Sequence, residues 1–141
     1  VYSLFGENEN SNWLISSTIR RLILNKHINL TPCNQRFNYL YIGDFVEQIN
    51  LIIDQPNNYS GIYNVCSSKS IKLKTLLIKT AELIPSRIDL LKFGYLSYRA
   101  NQPMIINGSN KKFKSLFMKN SKDYDSLTEG LKKTIFNIKK M

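Results

Sequence analysis

The chain has 141 residues, a formal net charge of +10 and two cysteines. Its length suits one domain with a hydrophobic core, and its 43% hydrophobic and 21% charged residues are ordinary for a globular protein. No apolar run approaches the 18 residues of a membrane-spanning helix, and no basic region precedes an apolar one as in a signal peptide. We therefore expect a cytoplasmic protein, and the start at Val1 rather than Met suggests a fragment or a processed terminus.

The hydrophobic pattern of the first 66 residues predicts short strands that alternate with two amphipathic helices. The first helix follows Trp13, with Ser11 or Asn12 as its N-cap. The second follows Asp44, which fits a capping box with Glu47. The apolar face of this second helix would consist of Phe45, Ile49, Ile52 and Ile53. The predicted strands are 1–5, 28–31, 38–42 and 62–66.

The second half of the chain predicts three more helices. Apolar residues at helical spacing from Leu73 predict a helix that Pro85 closes, and residues 109–118 predict a short one. Ser126 and Glu129 fit a second capping box at the start of the last helix. A strand at 88–93 and a loop at 94–103 lie between these helices. The alternation indicates an α/β fold with mixed short strands and about five helices, and no linker divides residues 1–141.

Positive charge is concentrated in the second half. Residues 1–68 carry a net charge of −1 and residues 69–141 one of +11. A basic half suits nucleic acid, an anionic lipid or a diphosphate ligand, but the lysines are scattered over several elements, as in any lysine-rich composition. Cys33 and Cys66 lack the spacing of a zinc site or disulfide framework, so we expect reduced thiols. His27 is the only histidine, which argues against a histidine-rich metal site.

The motifs of a complete active site are missing. No glycine-rich phosphate loop is present, and none of the eight tyrosines has a lysine four residues later. The carboxylates show no catalytic spacing within an apolar pocket. We therefore expect no catalysis by the chain alone. The missing motifs leave open whether the chain is part of a larger enzyme.

Two segments resemble a family signature. Gln35 to Asp44, followed by Gly61-Ile62-Tyr63-Asn64-Val65, resembles the pattern Q-x-R/W-D-[FY]-x-Y-V-x-D … G-x-Y-N. This pattern is typical of the extended short-chain dehydrogenase/reductase family, which includes NAD-dependent epimerases and dehydratases of nucleotide sugars. Five other short segments are similar to family motifs in the right order: 1–6, 13–16, 30–35, 98–104 and 126–131.

The resemblance implies that the chain is the C-terminal, substrate-binding lobe of an extended Rossmann-type epimerase/dehydratase. The N-terminal Rossmann half, which holds the cofactor and the catalytic tyrosine and lysine in this family, would be absent from the chain. The complete enzyme would use NAD or NADP to epimerise, dehydrate or reduce a nucleotide sugar. Its implied partners are the nucleotide-sugar ligand, the missing half and a second copy in a homodimer.

The resemblance also implies substrate-binding residues. Arg99 is the strongest candidate, because a guanidinium holds a diphosphate through two parallel charge-assisted hydrogen bonds. Gln102 could hydrogen-bond a ribose hydroxyl. Phe37 and Asn38 stand where many family members have arginine and aspartate, with Arg36 adjacent. The full set of candidates is Asn12, Trp13, Leu14, Asn29, Leu30, Arg36, Phe37, Asn64, Arg99 and Gln102.

Two other readings remain open. A small nucleic-acid-binding module would use clustered lysines with interleaved aromatic residues, as in the stretch from Lys111 to Lys122 with Phe113 and Phe117. Those phenylalanines are four residues apart, however, which also suits the buried face of a helix. The third reading is a degenerate, non-catalytic remnant that acts as an interaction partner. Phe117-Met118-Lys119-Asn120, in place of the family's G-W-x-P, fits that reading.

Overall fold

A computed structural model describes residues 3–54, 60–85, 88–118 and 125–140. Within these ranges, five α-helices alternate with seven short β-strands, which confirms the predicted α/β class. One turn of 3-10 helix at Ile88–Leu90 precedes the sixth strand. In chain order the elements are β1 (Leu4–Phe5), α1 (Leu14–Ile23), β2 (Ile28–Leu30), β3 (Arg36–Phe37), β4 (Leu40–Tyr41), α2 (Ile42–Ile53), β5 (Ile71–Lys72), α3 (Leu73–Glu82), β6 (Leu91–Phe93), β7 (Ile105–Ile106), α4 (Lys111–Phe117) and α5 (Leu127–Lys140).

The strands pair in three small sheets. β1 pairs in parallel with β4, and β2 pairs in parallel with β6. In the third sheet β3 is central, antiparallel to β5 and parallel to β7. Parallel neighbours need long crossover connections, and α1, α2 and α3 lie within those connections. The segment from β3 to β4 therefore joins two sheets.

The main hydrophobic core lies where α1 packs against α3 and α5. Ile19, Leu76, Leu77 and Leu131 are fully buried there, so the helical stripes predicted for these three helices are confirmed. A second, smaller core of Leu40, Val65, Phe113, Phe117 and Met118 lies under α4. The short helix predicted at 109–118 is also confirmed.

The apolar face predicted for α2 is covered only in part by the described residues. Phe45 is half-buried and packs against the second core. Ile53, in contrast, is 72% exposed and Ile52 is 36% exposed, whereas the polar Asp44 and Gln48 of the same helix are buried. The end of the helix therefore leaves apolar side chains at the surface.

The caps predicted for α1 and α2 are wrong, because more distant groups replace them. α1 begins after Trp13 without a side-chain cap. Instead, the Glu9 carboxylate accepts hydrogen bonds from the Ser16 N–H at 3.1 Å and the Ser16 hydroxyl at 2.6 Å. α2 begins two residues before Asp44, and Asp44 accepts a hydrogen bond from the Ser126 N–H at 2.7 Å. α5 begins at Leu127, directly after Ser126 as predicted, but Glu129, the other half of the second box, pairs with Lys132. Asp44 thus ties α2 to the start of α5.

Three predicted strands differ from the structure. Residues 62–66 form no strand among the described residues; instead, Asn110 Nδ2 donates to the Cys66 carbonyl and Lys112 Nζ to the Ile62 carbonyl. The strand expected at 88–93 begins only at Leu91, after the 3-10 turn. The strand expected at 38–42 is reduced to Leu40–Tyr41, because α2 already begins at Ile42. The strands β3, β5 and β7 were not predicted.

The two cysteines are the first of three smaller features that bear on the sequence expectations. The thiols of Cys33 and Cys66 are free and buried, and burial raises the pKa of both thiols. Among the described residues, no helix is long and apolar enough to cross a membrane. Within the same ranges, no group of three or more His, Cys, Asp or Glu side chains could hold a metal ion.

Ionisation of the Tyr41 phenol is expected to lower the stability of the fold at alkaline pH. Its hydroxyl donates to Glu7 Oε1 at 2.8 Å. Burial, together with the Glu7 hydrogen bond and the charges of Glu7 and Asp44, raises the pKa of Tyr41 to about 12. The folded state therefore favours the protonated phenol. This contribution is complete below the usual tyrosine pKa of about 10 and is lost as the pH rises through about 12.

Urea unfolding of wild type and Tyr41→Phe between pH 8 and 12 checks this expectation. Phenylalanine cannot ionise, so the variant should lose less stability than wild type across that window. Some dependence will remain, because burial also raises the pKa of Tyr39. Identical pH slopes for the two proteins would contradict the prediction.

Candidate functional site

A cavity of about 570 Å³ opens at the start of α1 and is the candidate binding site. Its volume lies within the usual range of small-molecule pockets, roughly 300–1,000 Å³. Three of the predicted binding residues, Trp13, Leu14 and Phe37, line it together. The full lining is Ser3, Leu4, Glu9, Trp13, Leu14, Ile15, Gln35, Phe37, Tyr39 and Leu73.

The cavity walls are mainly apolar and aromatic. Trp13 is the only tryptophan of the chain and is 59% exposed. The ring of Phe37 lies 6.0 Å from that of Tyr39, tilted by 39°. Among the described residues of the lining, Glu9 alone is charged, and its carboxylate accepts hydrogen bonds from Ser16. These described walls suit a flat or ring-shaped neutral group and hold no cation for a phosphate.

The alternation of the backbone brings Gln35, Phe37 and Tyr39 into the lining. In extended chain, residues two apart point to the same side, and these three positions all contact the cavity. The residues between them differ: Arg36 is exposed and Asn38 is fully buried. Gln35 and Tyr39 were not predicted as site residues, although period-two spacing from Phe37 indicates both.

Two predicted arginines lie outside the cavity lining. Arg36 donates from its guanidinium to the Ser70 carbonyl at 3.0 Å. Arg99 follows β6 in an exposed loop, and its side chain makes no hydrogen bond or ion pair with the described residues. The Asn34 N–H donates to the hydroxyl of Tyr98 at 2.9 Å. This bond holds the residue before Arg99 against the turn that leads into β3.

The other predicted residues are not part of the cavity. Leu30 is 2% exposed and packs in the main core, whereas Asn29 is exposed on β2. Asn12 lies in the exposed loop before α1. Asn64 donates to the Ser109 carbonyl at 3.3 Å, and Gln102 donates to the Pro103 carbonyl at 3.1 Å. Direct ligand contact by these five residues remains a prediction.

Gly6 and Gly43 leave no room for a phosphate. A phosphate cradle needs glycines whose missing side chains leave room for the ligand. At Gly6 and Gly43 that room is filled by the side chains of Ile42 and Tyr41. Gly94 is open but stands alone in a loop. These three glycines therefore do not form a cradle for the diphosphate of a dinucleotide.

The aromatic residues of α4 do not support nucleic-acid stacking. Phe113 is fully buried and Phe117 is 5% exposed. Their rings pack on each other with centroids 5.0 Å apart. Bases stack only on accessible rings, so the alternation of lysine and phenylalanine here is that of an amphipathic helix.

Solved structures of nucleotide-sugar epimerases and dehydratases have a similar fold. The chain matches about 45% of the length of these proteins. The dTDP-glucose 4,6-dehydratase of Bacillus anthracis, solved with NAD, superposes with a TM-score of 0.83, 13% identity and coverage of 99% of this chain and 43% of that one. The UDP-N-acetylglucosamine 4-epimerase of Methanobrevibacter ruminantium superposes with a TM-score of 0.80 and 20% identity. That match covers 99% of this chain and 45% of the epimerase.

Sequence comparison agrees with the structural one. The chain is 25% identical over 138 residues to the CDP-abequose synthase of Yersinia pseudotuberculosis, covering 94% of this chain and 46% of that protein. No family model matches the chain. The resemblance to nucleotide-sugar epimerases and dehydratases is thus confirmed, and the chain spans about half the length of the curated relative that it matches.

Proposed function

We propose that this chain is the substrate-binding part of an NAD(P)-dependent nucleotide-sugar epimerase, dehydratase or reductase. The observation that carries the proposal is the aromatic cavity of Trp13, Phe37 and Tyr39, next in sequence to Arg36 and tied through Tyr98 to the loop of Arg99. A neutral aromatic pocket with nearby guanidinium groups matches a ligand that joins neutral rings to a diphosphate. The similarity in fold to enzymes of this class supports the same reading.

The contribution of these residues would be binding and orientation. The aromatic walls would hold a ring, and Arg99 would bind the diphosphate. Fixing the substrate in this way brings its reacting carbon into register with catalytic groups. Those groups and the nicotinamide cofactor would come from a Rossmann half outside the 141 residues, and that cofactor would supply hydride transfer.

The exposed apolar side chains of α2 support docking of such a half. Val46 is 48% exposed, Ile53 is 72% exposed and Ile62, further along the chain, is 90% exposed. Exposed apolar side chains of this size are frequent at interaction sites. We propose that this surface, defined by Val46, Ile52, Ile53 and Ile62, packs against the cofactor-binding half.

Trp13 allows a direct test, because it is the only tryptophan of the chain and lines the cavity. We expect a saturable change when the chain is titrated with UDP, CDP or dTDP and with the corresponding nucleotide sugars. Arg99→Ala should weaken binding about tenfold, which corresponds to about 1.4 kcal/mol. Arg99→Lys should not restore it, since lysine lacks the bidentate fork.

The matched control is Lys79→Ala, which removes one exposed cation from the end of α3 outside the cavity lining. It should leave affinity within about twofold of wild type, apart from weak screening effects. Equal losses in Arg99→Ala and Lys79→Ala would mean that only overall charge matters. No saturable signal with any nucleotide would reject the proposed function.

A further inference from the structure

The loop between β6 and β7 is bonded to the rest of the fold at its two ends. At its start, the Leu96 N–H donates to the Leu30 carbonyl at 3.1 Å, where β2 ends. At its end, the Met104 carbonyl accepts a hydrogen bond from the Arg36 N–H at 2.8 Å, where β3 begins. Residues 97–103 lie between these two fixed points of the backbone.

One side chain of this span bonds to a distant segment of the chain. The Tyr98 hydroxyl accepts a hydrogen bond from the Asn34 N–H at 2.9 Å, across 64 positions of the sequence. In the part of the chain that the structure describes, no other side-chain hydrogen bond joins residues 97–103 to the rest of the fold. Arg99 follows Tyr98 directly, so the position of its backbone depends on this hydroxyl.

The segment that donates this hydrogen bond is itself fixed and belongs to the cavity wall. Gln35 comes directly after Asn34, and its carbonyl accepts a hydrogen bond from the Leu73 N–H at 2.9 Å. Gln35 and Leu73 both line the cavity. The Tyr98 hydroxyl therefore ties the loop of Arg99 to the wall of the candidate binding site.

The contact is exposed, which separates its effect on the fold from its effect on the loop. Asn34 is exposed and Tyr98 is half-buried. Without the hydroxyl, water can accept the Asn34 N–H, so the free energy of unfolding should change little. The loop, in contrast, loses a fixed point. A side chain that is not held in place beforehand must be ordered when a ligand binds, and this ordering weakens binding.

We propose that Tyr98 is a positioning residue for Arg99: its hydroxyl holds the loop so that the guanidinium can meet the diphosphate of a ligand in the cavity. This inference rests on the proposed function, in which Arg99 binds the diphosphate. Tyr98 itself is not part of the cavity lining. Its whole effect on ligand binding passes through Arg99.

The test is a double-mutant cycle on the 141-residue chain. Tyr98→Phe removes the hydroxyl and keeps the ring, and it is made both in wild type and in Arg99→Ala. The matched control is Tyr95→Phe, the same chemical change in the same loop. Tyr95 is 70% exposed, and its hydroxyl makes no hydrogen bond among the described residues. Calorimetry gives the dissociation constants for UDP, CDP and dTDP.

For the diphosphate that wild type binds best, we expect Tyr98→Phe to weaken binding about threefold to tenfold. Tyr95→Phe should stay within about twofold of wild type. In the Arg99→Ala background, Tyr98→Phe should cause no further loss, because no guanidinium remains to be positioned. The melting temperature of Tyr98→Phe should lie within about 4 °C of wild type, since water replaces an exposed hydrogen bond.

The outcomes separate the two proposals. If Arg99→Ala weakens binding but Tyr98→Phe has no effect, an equal effect in both backgrounds, or a larger drop in melting temperature, Tyr98 does not position Arg99, while the proposed function stands. If wild type binds no nucleoside diphosphate, or Arg99→Ala binds as well as wild type, the positioning role fails together with the role of Arg99. A loss that disappears in Arg99→Ala supports the proposal, since a purely structural effect would persist in both backgrounds.

Discussion

Replacing Asn38 with aspartate is expected to destabilise the fold by about 3–5 kcal/mol, although the two side chains have nearly the same shape. Asn38 is fully buried. Its Nδ2 donates to the Ser67 carbonyl at 2.8 Å, and its Oδ1 accepts from the Gly108 N–H at 2.8 Å. A carboxylate can keep the second bond but not the first, and it would place a buried negative charge against a carbonyl oxygen.

The expected penalty depends on pH. Burial and the facing carbonyl should raise the pKa of the introduced carboxyl above its unfolded value. The protonated acid can donate to the Ser67 carbonyl, so the deficit should shrink as pH falls below neutral and grow as pH rises. This sign is opposite to that of a carboxylate stabilised by an ion pair.

Urea unfolding at pH 5 and pH 7.5 measures both effects. Asn107→Asp is the matched control, because it makes the same chemical change at an exposed position one residue before Gly108. It should shift stability by less than about 0.5 kcal/mol. If Asn38→Asp at pH 7.5 unfolds within 1 kcal/mol of wild type, the donor role of Asn38 is wrong.

Asn38 also shows how the resemblance and the structure complement each other. Many family members have aspartate at this position, and the sequence alone marked Asn38 only as a departure. The structure gives the departure a physical reason, since the side chain must donate to one backbone group and accept from another. Asparagine can do both, whereas an ionised aspartate can only accept.

The parts of the fold that could be predicted are those set by neighbours in sequence. The stripes of α1, α3 and α5 follow from spacings of three and four residues. The caps could not be predicted, because their groups lie elsewhere: Asp44 binds the N–H of Ser126, and Glu9 lies outside the helix that it caps. The exposure of apolar side chains on α2 could not be predicted for a related reason. Periodicity shows which side of a helix is apolar but not what covers that side.

The candidate site divides in the same way. Trp13, Leu14 and Phe37 came from the resemblance, and Gln35 and Tyr39 share the period-two face of Phe37, so a pattern existed for all five. Glu9 and Leu73 reach the cavity only because separate elements fold together around it. No local spacing marks them. For the same reason the core position of Leu30 could not be told from a pocket position by sequence.

Gly130→Ala is expected to destabilise the fold, although helix propensity alone would make alanine more stable than glycine at this position. In an exposed helix interior, alanine is about 1 kcal/mol more favourable than glycine. At Gly130, a Cβ would lie 2.5 Å from Cγ and 2.8 Å from Cβ of Tyr41. These atoms lie near the backbone of a buried residue, so the ring cannot simply swing away. Overpacking of this kind costs about 1–3 kcal/mol or more.

Moving the Tyr41 ring would also weaken its hydrogen bond to Glu7, worth about 1 kcal/mol. We therefore expect a net loss of about 2 kcal/mol, against a small gain for Thr128→Ala at an exposed position of the same helix. Thermal and urea unfolding measure both variants. Restoring space with Tyr41→Leu should recover part of the loss in the double variant, because the clash requires both side chains. If Gly130→Ala were more stable than wild type, α5 would not pack against Tyr41, and the position of the last helix in this fold would be wrong.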